Sequence, residues 1–500
     1  MKKGFIFFYV LQVAAVLIIG SCTTRGKVEG EKPMTKGDMA VLLGRWEGKL
    51  KVGGTSLRIV FRVEKDKKGN VTALMDSPDQ GAEGIPVSRV ALKDSRVLFE
   101  VTKIRGKFEG SLSADKNSIS GNWMQSGLKL PLKLEKVSEN PEVTSTAPLS
   151  AKKEKQKAEE QIAPWEPHPP YPYKSINVKF ENGEAGITLA GTITIPGGKY
   201  QGPYPAVVLI SGSGLQNRDE EIFGHRPFLV LADYLTRHGI AVLRYDDRGF
   251  GESGGNPENA TMLDFASDAY AAYKYLKSES ITEKYGIGQG KIGLIGHSEG
   301  ALIAGYLAAR HDDISFIVLL AGSGVPGKEL LLMQSEALLR ASGADEGAIE
   351  RALSINKKVY ETVLNGKDER KAREKITGIL KKAGMDKNQI EIQLKAVLNP
   401  WYRFFLRYDP QEDLSRVKCP VLALGGSLDL QVPTEENLYA IERALKTGGN
   451  THFKIVELEG LNHLFQRAKT GLPSEYASIK MSFAPRALEV ITSWIKETAK

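Results

Sequence analysis

Cysteine is scarce in this chain, which has only Cys22 and Cys419 among its 500 residues. Two cysteines cannot form a network of disulfide bonds, so the folded parts must be stabilised mainly by burial of apolar side chains. The apolar content of 41% is compatible with that, and a chain of this length is expected to divide into two or three folded units. Cys419 precedes an apolar strand and is predicted to be a small core residue.

A strong excess of one charge is also missing. Lysine and arginine number 68 against 60 aspartates and glutamates, and the basic residues form no stripe with interleaved aromatics. This pattern argues against nucleic-acid binding. The glycine-rich run at residues 211–214 lacks both the rest of a dinucleotide fingerprint and the Gly-Lys-Ser/Thr ending of a nucleotide-binding loop. No nucleotide site is therefore predicted.

A long uncharged apolar run occurs near the amino terminus, at residues 5–19, directly after two lysines. It is short for a membrane-spanning helix, which needs roughly 20 residues. Its ending, Ile19-Gly20-Ser21-Cys22, resembles a bacterial lipoprotein signal. The resemblance implies that residues 1–21 are removed and that Cys22 is lipidated, which would anchor an exported protein to a membrane in the periplasm or at the cell surface. An ordinary cleaved signal with an incidental cysteine is the alternative.

Residues 44–137 have the two-residue period of half-buried strands. In residues 57–64 the odd positions are apolar and most even positions are polar, and turn residues separate several such segments. The pattern predicts a small antiparallel barrel or sandwich. It resembles the lipocalin-like β domain that precedes some exported serine hydrolases, with Trp46 and Trp123 at its glycine-flanked tryptophan positions. A structural or spacer role and ligand binding remain alternatives for this domain.

Residues 138–174 contain a charged run and a proline-rich stretch, so we predict a linker that favours extended conformations. From residue 175 to residue 500, apolar strands alternate with helical stretches. This alternation predicts a mostly parallel sheet covered on both faces, with catalytic groups at the carboxyl ends of the strands. The strands are expected at residues 175–180, 187–195, 206–210, 241–245, 292–295, 316–320, 421–424 and 453–456.

One connection is far longer than the others, between Gly324 and Cys419. It is charged and amphipathic, and a segment of this length without secondary structure would be implausible. We therefore predict a helical insertion at about residues 325–415 that folds over the active site, with a peripheral helical appendage as the alternative. Four aromatic residues near its end are candidates for lining an acyl pocket or for the core: Trp401, Tyr402, Phe404 and Phe405.

A serine stands between two glycines in Gly296-His297-Ser298-Glu299-Gly300, where an apolar strand is followed by helical apolar spacing. This context predicts a nucleophile elbow with Ser298 as the nucleophile. The same spacing occurs in Gly251-Glu252-Ser253-Gly254-Gly255. However, no apolar strand leads into that second copy, and Pro257 follows where a helix should begin. Ser253 is therefore predicted to be a loop residue.

A serine hydroxyl needs a base at neutral pH, usually a histidine that a carboxylate orients. The chain has seven histidines, and His463 is the best placed because it lies in a loop after the last predicted strand. His297 adjoins Ser298 in sequence, but neighbours on a strand or a sharp turn do not point in the same direction. His463 is therefore the predicted base.

Asp429 is the predicted carboxylate, since it follows the strand at residues 421–424. The chain order of serine, aspartate and histidine is then the one that the α/β-hydrolase fold uses. Asp246 and Asp247 follow an earlier strand and are rivals. A turn, or an ion pair with Arg248, is the alternative role for these two.

The negative oxygen of an acyl-transfer intermediate needs aligned donors. The backbone amide of Glu299 lies at a predicted helix start, whose partial positive charge suits an anion. A second amide is expected from the glycine-rich run, with Ser213 preferred and Gly214 close behind.

Residues 175–500 also resemble a bacterial esterase subfamily of the α/β-hydrolases. The resemblance depends on the serine elbow and on these motifs: Gly212-Ser213-Gly214, Arg218-Asp219-Glu220, Gly224-His225-Arg226-Pro227-Phe228, Arg244-Tyr245-Asp246-Asp247-Arg248-Gly249, Asp409-Pro410 and Asp429-Leu430-Gln431-Val432-Pro433. It implies an α/β-hydrolase fold with an eight-stranded sheet. It also implies hydrolysis of short acyl esters without a metal or cofactor, with Ser298, Asp429 and His463 as the triad.

The resemblance leaves the natural substrate open, and a small-molecule ester or an acylated glycan is expected. A serine peptidase or an acyltransferase on the same triad is an alternative, since one fold hosts all three activities. A surface protein that binds a glycan or lipid without catalysis is a further alternative, although a complete triad argues against it.

Overall fold

The computed structural model describes residues 38–52, 55–65, 69, 71–77, 82–101, 106–125, 128–137, 165–366 and 368–500. These residues fall into two compact units, one ending at residue 137 and one starting at residue 165. The predicted signal peptide and Cys22 lie outside the described residues. Within the described ranges, no helix combines the length and the apolar character that crossing a membrane would require.

The amino-terminal unit is an antiparallel sheet that follows a short 3-10 helix, Asp38–Leu42. Its nine strands are β1 (Gly44–Val52), β2 (Thr55–Lys65), β3 (Val71–Ser77), β4 (Ala82–Val87), β5 (Arg89–Lys93), β6 (Arg96–Val101), β7 (Gly106–Leu112), β8 (Ser118–Gln125) and β9 (Leu128–Val137). They are ordered β4-β3-β2-β1-β9-β8-β7-β6-β5. Because β3 and β4 approach β5 and β6 from the other end of the sheet, the unit is a nearly closed barrel. The predicted small antiparallel domain is confirmed.

Aromatic side chains fill the centre of this barrel. The rings of Phe61 and Phe99 stack with centroids 4.4 Å apart. The ring centroids of Phe108 and Trp123 each lie 6.3 Å from that of Phe61. Trp46 is fully buried and donates its indole N–H to the carbonyl oxygen of Leu42 at 2.7 Å. The alternation that predicted the strands thus arises from one packed aromatic core.

The carboxyl-terminal unit contains an eight-stranded sheet. Its strands are β10 (Lys174–Asn182), β11 (Ile187–Ile195), β12 (Tyr204–Ile210), β13 (Ala241–Tyr245), β14 (Ile287–His297), β15 (Ile317–Leu320), β16 (Val421–Gly426) and β17 (Phe453–Leu458). The order is β10-β11-β13-β12-β14-β15-β16-β17. Strand β11 pairs antiparallel with β10 and β13, and all other pairs are parallel. The predicted strands and the mostly parallel sheet are confirmed.

Some helices of this unit cover the two faces of the sheet, and others form an insertion between two strands. They are α1 (Pro227–Arg237), α2 (Met262–Lys277), α3 (Glu279–Tyr285), α4 (Glu299–Ala308), α5 (Gly327–Ala341), α6 (Glu346–Asn365), α7 (Glu369–Lys382), α8 (Lys387–Val397), α9 (Pro400–Arg407), α10 (Pro410–Leu414), α11 (Thr434–Thr447) and α12 (Pro485–Thr498). In β12, Val208 belongs to the core beneath α2 and α4, whereas Val207 belongs to the core beneath α1 and α12. Two buried faces explain why strands such as β12 and β15 are continuously apolar.

Helices α5 to α10 form the insertion between β15 and β16, within the range that the sequence predicted. The two ends of the insertion are in contact, because the backbone N–H of Gly327 donates to the carbonyl oxygen of Tyr408 at 3.0 Å. A side chain at Gly327 would clash with the carbonyl oxygen of Phe405, so this crossing requires glycine.

Part of the segment predicted as a linker packs on the carboxyl-terminal unit. Glu166 is 3% exposed, and its carboxylate accepts hydrogen bonds from Arg226 Nε at 2.8 Å and from Ser482 Oγ at 2.5 Å. Composition could not show this contact, because both partners lie far along the chain. Residues 138–164 of the predicted linker lie outside the described residues.

Candidate active site

Ser298 lies on the turn between β14 and α4, with φ of 55° and ψ of −115°. A non-glycine residue rarely adopts a positive φ, and such strain persists only where the surroundings impose it. The flanking glycines are required by packing. A Cβ at Gly296 would clash with the carbonyl oxygen of Gly300, and one at Gly300 would clash with the carbonyl oxygen of Ile210. The spacing of the motif is therefore a consequence of how closely the backbone segments approach.

Ser298 lines a cavity of about 220 Å³ at the carboxyl ends of the central strands. The sheet side contributes the loop after β12, the elbow and the loop that contains His463. The insertion contributes Leu330, Leu331, Gln334, Asn399, Trp401 and Phe405. The predicted helical insertion thus covers the cavity that contains the predicted nucleophile.

The four aromatic candidates of the insertion divide between the cavity and the core. Trp401 and Phe405 line the cavity and stack with ring centroids 5.1 Å apart. Tyr402 is buried beside Tyr360, and Phe404 stacks on a tyrosine outside the cavity. Helical periodicity alone could not separate these two roles, because it does not say which face meets the cavity.

His463 and Asp429 are joined by a hydrogen bond of 2.8 Å between Nδ1 and Oδ2. Both residues are at most 5% exposed. The other carboxylate oxygen of Asp429 accepts the backbone N–H groups of Gln431 at 2.8 Å and Val432 at 2.9 Å. An ionised aspartate can only accept, so Nδ1 of His463 carries the proton and Nε2 is left as an acceptor.

Ser298 Oγ and His463 Nε2 belong to residues that line the same cavity. The structure records no hydrogen bond between these two atoms, and neither atom has another partner among the residues that it describes. Catalytic hydrogen bonds are often long without substrate and tighten when it binds. Both groups are therefore free to engage a ligand.

Asp246 has a structural partner of its own. It binds the guanidinium of Arg218 at 2.7 Å, and this cation holds the pKa of Asp246 below its usual value even though burial acts to raise it. The ion pair with Arg248 that the sequence suggested is not formed. Arg248 binds the buried carboxylate of Asp268 instead, at 2.7 Å. Sequence proximity misled here because these side chains leave the strand end in different directions.

Asp247 fixes the loop after β12. Its two oxygens accept the Ser211 hydroxyl at 2.9 Å and the Gln216 amide at 2.7 Å, and burial raises its pKa well above the usual value. Between these two anchors, Ser213 lines the cavity. Asp247 thus holds the loop and has no recorded contact with His463 among the described residues.

The two backbone amides predicted as oxyanion donors are available. Within the described parts of the chain, neither the Ser213 amide nor the Glu299 amide has an acceptor, and both residues line the cavity. The preceding amide, of Gly212, is occupied by Glu220 Oε1 at 2.8 Å. Gly214 has a φ of 96°, which glycine tolerates.

A buried pair that the sequence did not reveal connects three parts of the site. His297 donates from Nδ1 to Glu220 Oε1 at 2.8 Å and from Nε2 to the carbonyl oxygen of His463 at 2.9 Å. Burial acts to lower the pKa of His297, but the Glu220 carboxylate outweighs it and the pKa is raised. Since Glu220 also accepts the Gly212 amide, the pair links the elbow, the loop after β12 and the loop of the predicted base.

The side chain of Glu299 also lies at the cavity, although the sequence singled out only its backbone. The residue is 4% exposed, and Oε1 accepts the indole N–H of Trp401 at 2.6 Å. Burial raises the pKa of Glu299 to about 7, because the single hydrogen bond from Trp401 does not offset the loss of hydration.

Cys419 is a free, partly buried cysteine, and burial raises the pKa of its thiol to about 12. A thiol of this kind is inert as a nucleophile at neutral pH. Across the described ranges, no cluster of three or more histidine, cysteine, aspartate or glutamate side chains is arranged to hold a metal ion.

Comparison with known proteins finds a family model and several proteins that are similar to this chain. The model of the serine aminopeptidase S33 family matches residues 226–375, which include Ser298. Esterase EstD of Thermotoga maritima is 28% identical over 311 residues, which cover 61% of this chain. The chain spans 65% of the length of that relative.

Solved structures with a similar course of the chain include two esterases. One, from Pyrococcus furiosus, has a TM-score of 0.40 and 16% identity, covering 65% of this chain and 90% of its own. The other, from Thermogutta terrifontis with malate bound, has a TM-score of 0.36 and 21% identity, covering 65% of this chain and 100% of its own. The strand order and the strand-serine-helix turn show that the carboxyl-terminal unit has the α/β-hydrolase fold, and the family model matches within that unit.

Proposed function

We propose that this protein is a serine carboxylic ester hydrolase that acts on short acyl esters through an acyl-enzyme intermediate. The observation that carries the proposal is the strained serine at a cavity that it shares with a histidine bonded to a buried aspartate. The relative in Thermotoga maritima is named an esterase, which agrees with this reading.

The mechanism uses three side chains and two amides. Ser298 Oγ attacks the ester carbonyl carbon while His463 Nε2 takes the hydroxyl proton, and Asp429 stabilises the imidazolium that forms. The amides of Ser213 and Glu299 bind the oxyanion. The tetrahedral intermediate expels the alcohol, which receives the proton from His463. Water then attacks the acyl-serine, again with His463 as base, and releases the acid and the free serine.

The size and lining of the cavity support small acyl groups. A volume of about 220 Å³ is below the several hundred that enclose drug-sized ligands. Trp401 and Phe405 bound the cavity on the side of the insertion. The proposed substrate is therefore a small-molecule ester or the acyl group of an acylated glycan.

A serine peptidase is the second candidate, because the matching family model is that of a serine aminopeptidase. The same nucleophile, base and oxyanion donors can cleave an amide, so the site geometry does not separate the two activities. Assays of ester and aminoacyl amide substrates side by side distinguish them.

A fluorophosphonate probe followed by an ester chain-length panel tests the proposal. We expect covalent labelling at Ser298, since the probe needs an activated serine, and p-nitrophenyl esters from acetate to laurate should lose kcat/KM as the acyl chain lengthens. Mass spectrometry of the labelled peptide checks the site. Label on Ser253, or no label on an ester-hydrolysing enzyme, would contradict the proposal.

We further propose that the mature protein is exported and anchored through lipid on Cys22, as the amino-terminal sequence suggests. A lipid chain partitions into bilayers, so the protein should appear in the membrane fraction of producing cells. Replacing Cys22 with serine is expected to release it from that fraction. Retention of the variant in the membrane fraction would contradict a lipid anchor at Cys22.

A further inference from the structure

We propose that the Glu299 side chain is a recognition group that selects esters carrying a hydrogen-bond donor, a hydroxyl or an ammonium group, near the ester bond. Trp401 of the insertion holds this carboxyl group in place. The inference rests on the proposed function of the same cavity and specifies its substrate class.

The first support is the burial of Glu299 at a cavity that has many apolar lining residues. Much of the cavity is apolar, with Phe265, Leu302, Leu330 and Leu331 among its lining residues. A carboxyl group that is 96% buried in such surroundings is unfavourable unless its oxygens are hydrogen-bonded, whereas an apolar side chain of similar size would pack there without penalty.

The second support is an incomplete set of partners. Oε1 accepts the Trp401 indole, but no described residue donates to Oε2. Among the described residues that line the cavity there is no lysine or arginine to neutralise a carboxylate. Asp247 lies close enough for its charge and that of Glu299 to oppose each other. Oε2 is therefore available to accept a hydrogen bond from a ligand in the cavity.

The third support is position. Ser298, Glu299 and Trp401 line one cavity, and the Trp401 indole binds the Glu299 carboxyl group, which places that group in the cavity where the serine would attack an ester. Its pKa of about 7 means that near neutral pH much of the population is a carboxylate, which accepts from a hydroxyl or an ammonium group. A substrate donor at this place would pair with Oε2 of Glu299.

The test compares kcat/KM for isosteric ester pairs that differ only in the donor. Ethyl 3-hydroxybutyrate and ethyl 3-aminobutyrate are compared with ethyl 3-methylbutyrate, which places the donor in the acyl group. The pair of 2-hydroxyethyl butyrate and propyl butyrate places it in the alcohol. Glu299→Met removes the acceptor at similar volume, and Glu299→Gln keeps an acceptor without charge. Both variants retain the backbone amide of residue 299.

We expect the wild-type enzyme to prefer a donor-bearing ester over its methyl isostere by about tenfold or more, because the isostere leaves a buried acceptor unpaired. Glu299→Met should abolish or reverse that preference. Glu299→Gln should keep the preference for the hydroxyl and lose it for the ammonium group. Thermal melting of each variant shows that it is folded.

Two results overturn the inference, and they are distinguishable. Hydrolysis of every ester with the same ratio in the wild type and in Glu299→Met overturns the recognition role and leaves the esterase assignment intact. Failure of the folded wild-type protein to hydrolyse any ester overturns the proposed function and the inference together.

Discussion

Replacing Ser298 with alanine is expected to lower kcat for a short p-nitrophenyl ester by about four to six orders of magnitude, because no other group can form the acyl-enzyme. The fold should be unaffected. Ser298 Oγ has no recorded partner among the described residues, and the backbone N–H of Ser298 keeps its bond to Leu320. Stopped assays with concentrated enzyme measure the residual rate, and thermal melting measures stability.

Ser253 provides the matched control, since it occupies the same five-residue spacing in a loop. Its hydroxyl donates to the carbonyl oxygen of Asp246 at 2.6 Å and accepts the Ala190 amide at 2.9 Å. Ser253→Ala should therefore lower the free energy of unfolding by about 1 kcal/mol and leave kcat close to the wild-type value. Full activity in Ser298→Ala, or its loss only in Ser253→Ala, would refute the assignment of the nucleophile.

Replacing Glu220 with glutamine is expected to reduce both stability and kcat. Removing one partner of a buried ion pair destabilises a protein by about 3–5 kcal/mol. His297 would lose the carboxylate that holds it against the backbone of His463, and small displacements of a catalytic group lower kcat by up to about a hundredfold. KM should change little, because Glu220 acts on the position of the base. Denaturant titrations and steady-state kinetics measure the two effects.

The stability effect of this pair has a defined pH dependence. The pKa of His297 in the folded protein is raised above its ordinary 6.5, so the folded state binds its proton more tightly than the unfolded state. The stabilisation is fully present below pH 6.5 and is lost as pH rises through the raised value. The difference in unfolding free energy between the wild type and His297→Gln should therefore shrink at alkaline pH.

Asp268→Asn is the control that separates loss of His463 positioning in Glu220→Gln from a general loss of stability. Asp268 is fully buried and pairs with Arg248 at 2.7 Å, and neither residue lines the cavity. Its replacement should destabilise the protein by a similar amount without lowering kcat in the folded enzyme. Equal losses of kcat in Asp268→Asn and Glu220→Gln would show that the His297 pair does not position the base.

The fold was predictable because its causes are local or periodic. Continuous apolar strands such as β12 reflect burial on two faces, and alternating positions in β2 reflect burial on one. The insertion could be predicted because the connection between Gly324 and Cys419 is too long for a loop without secondary structure. Composition could not show which segments pack against the carboxyl-terminal unit. Glu166 is buried there, although it lies in a stretch that was predicted to be a linker.

The candidate site divides in the same way. The strand-serine-helix context and the strand-end position of Asp429 follow from sequence spacing, and the structure places Asp429 2.8 Å from His463 Nδ1. The partners of Glu220, Asp246 and Glu299 do not follow from spacing. Each of these carboxylates meets a side chain from a distant part of the chain, and only tertiary packing decides which one.

The contact between Gly327 and Tyr408 makes the insertion a separate unit that can vary independently of the sheet. The first and last residues of the insertion are already in contact, so shortening, lengthening or exchanging the helices between them leaves the spacing of β15 and β16 unchanged. The entropic cost of closing a longer segment rises only slowly with its length. Mutations in the insertion, natural or engineered, can therefore change the part of the cavity wall that faces Ser298. The range of accepted acyl groups would change with it, while the positions of Ser298, Asp429 and His463 stay the same.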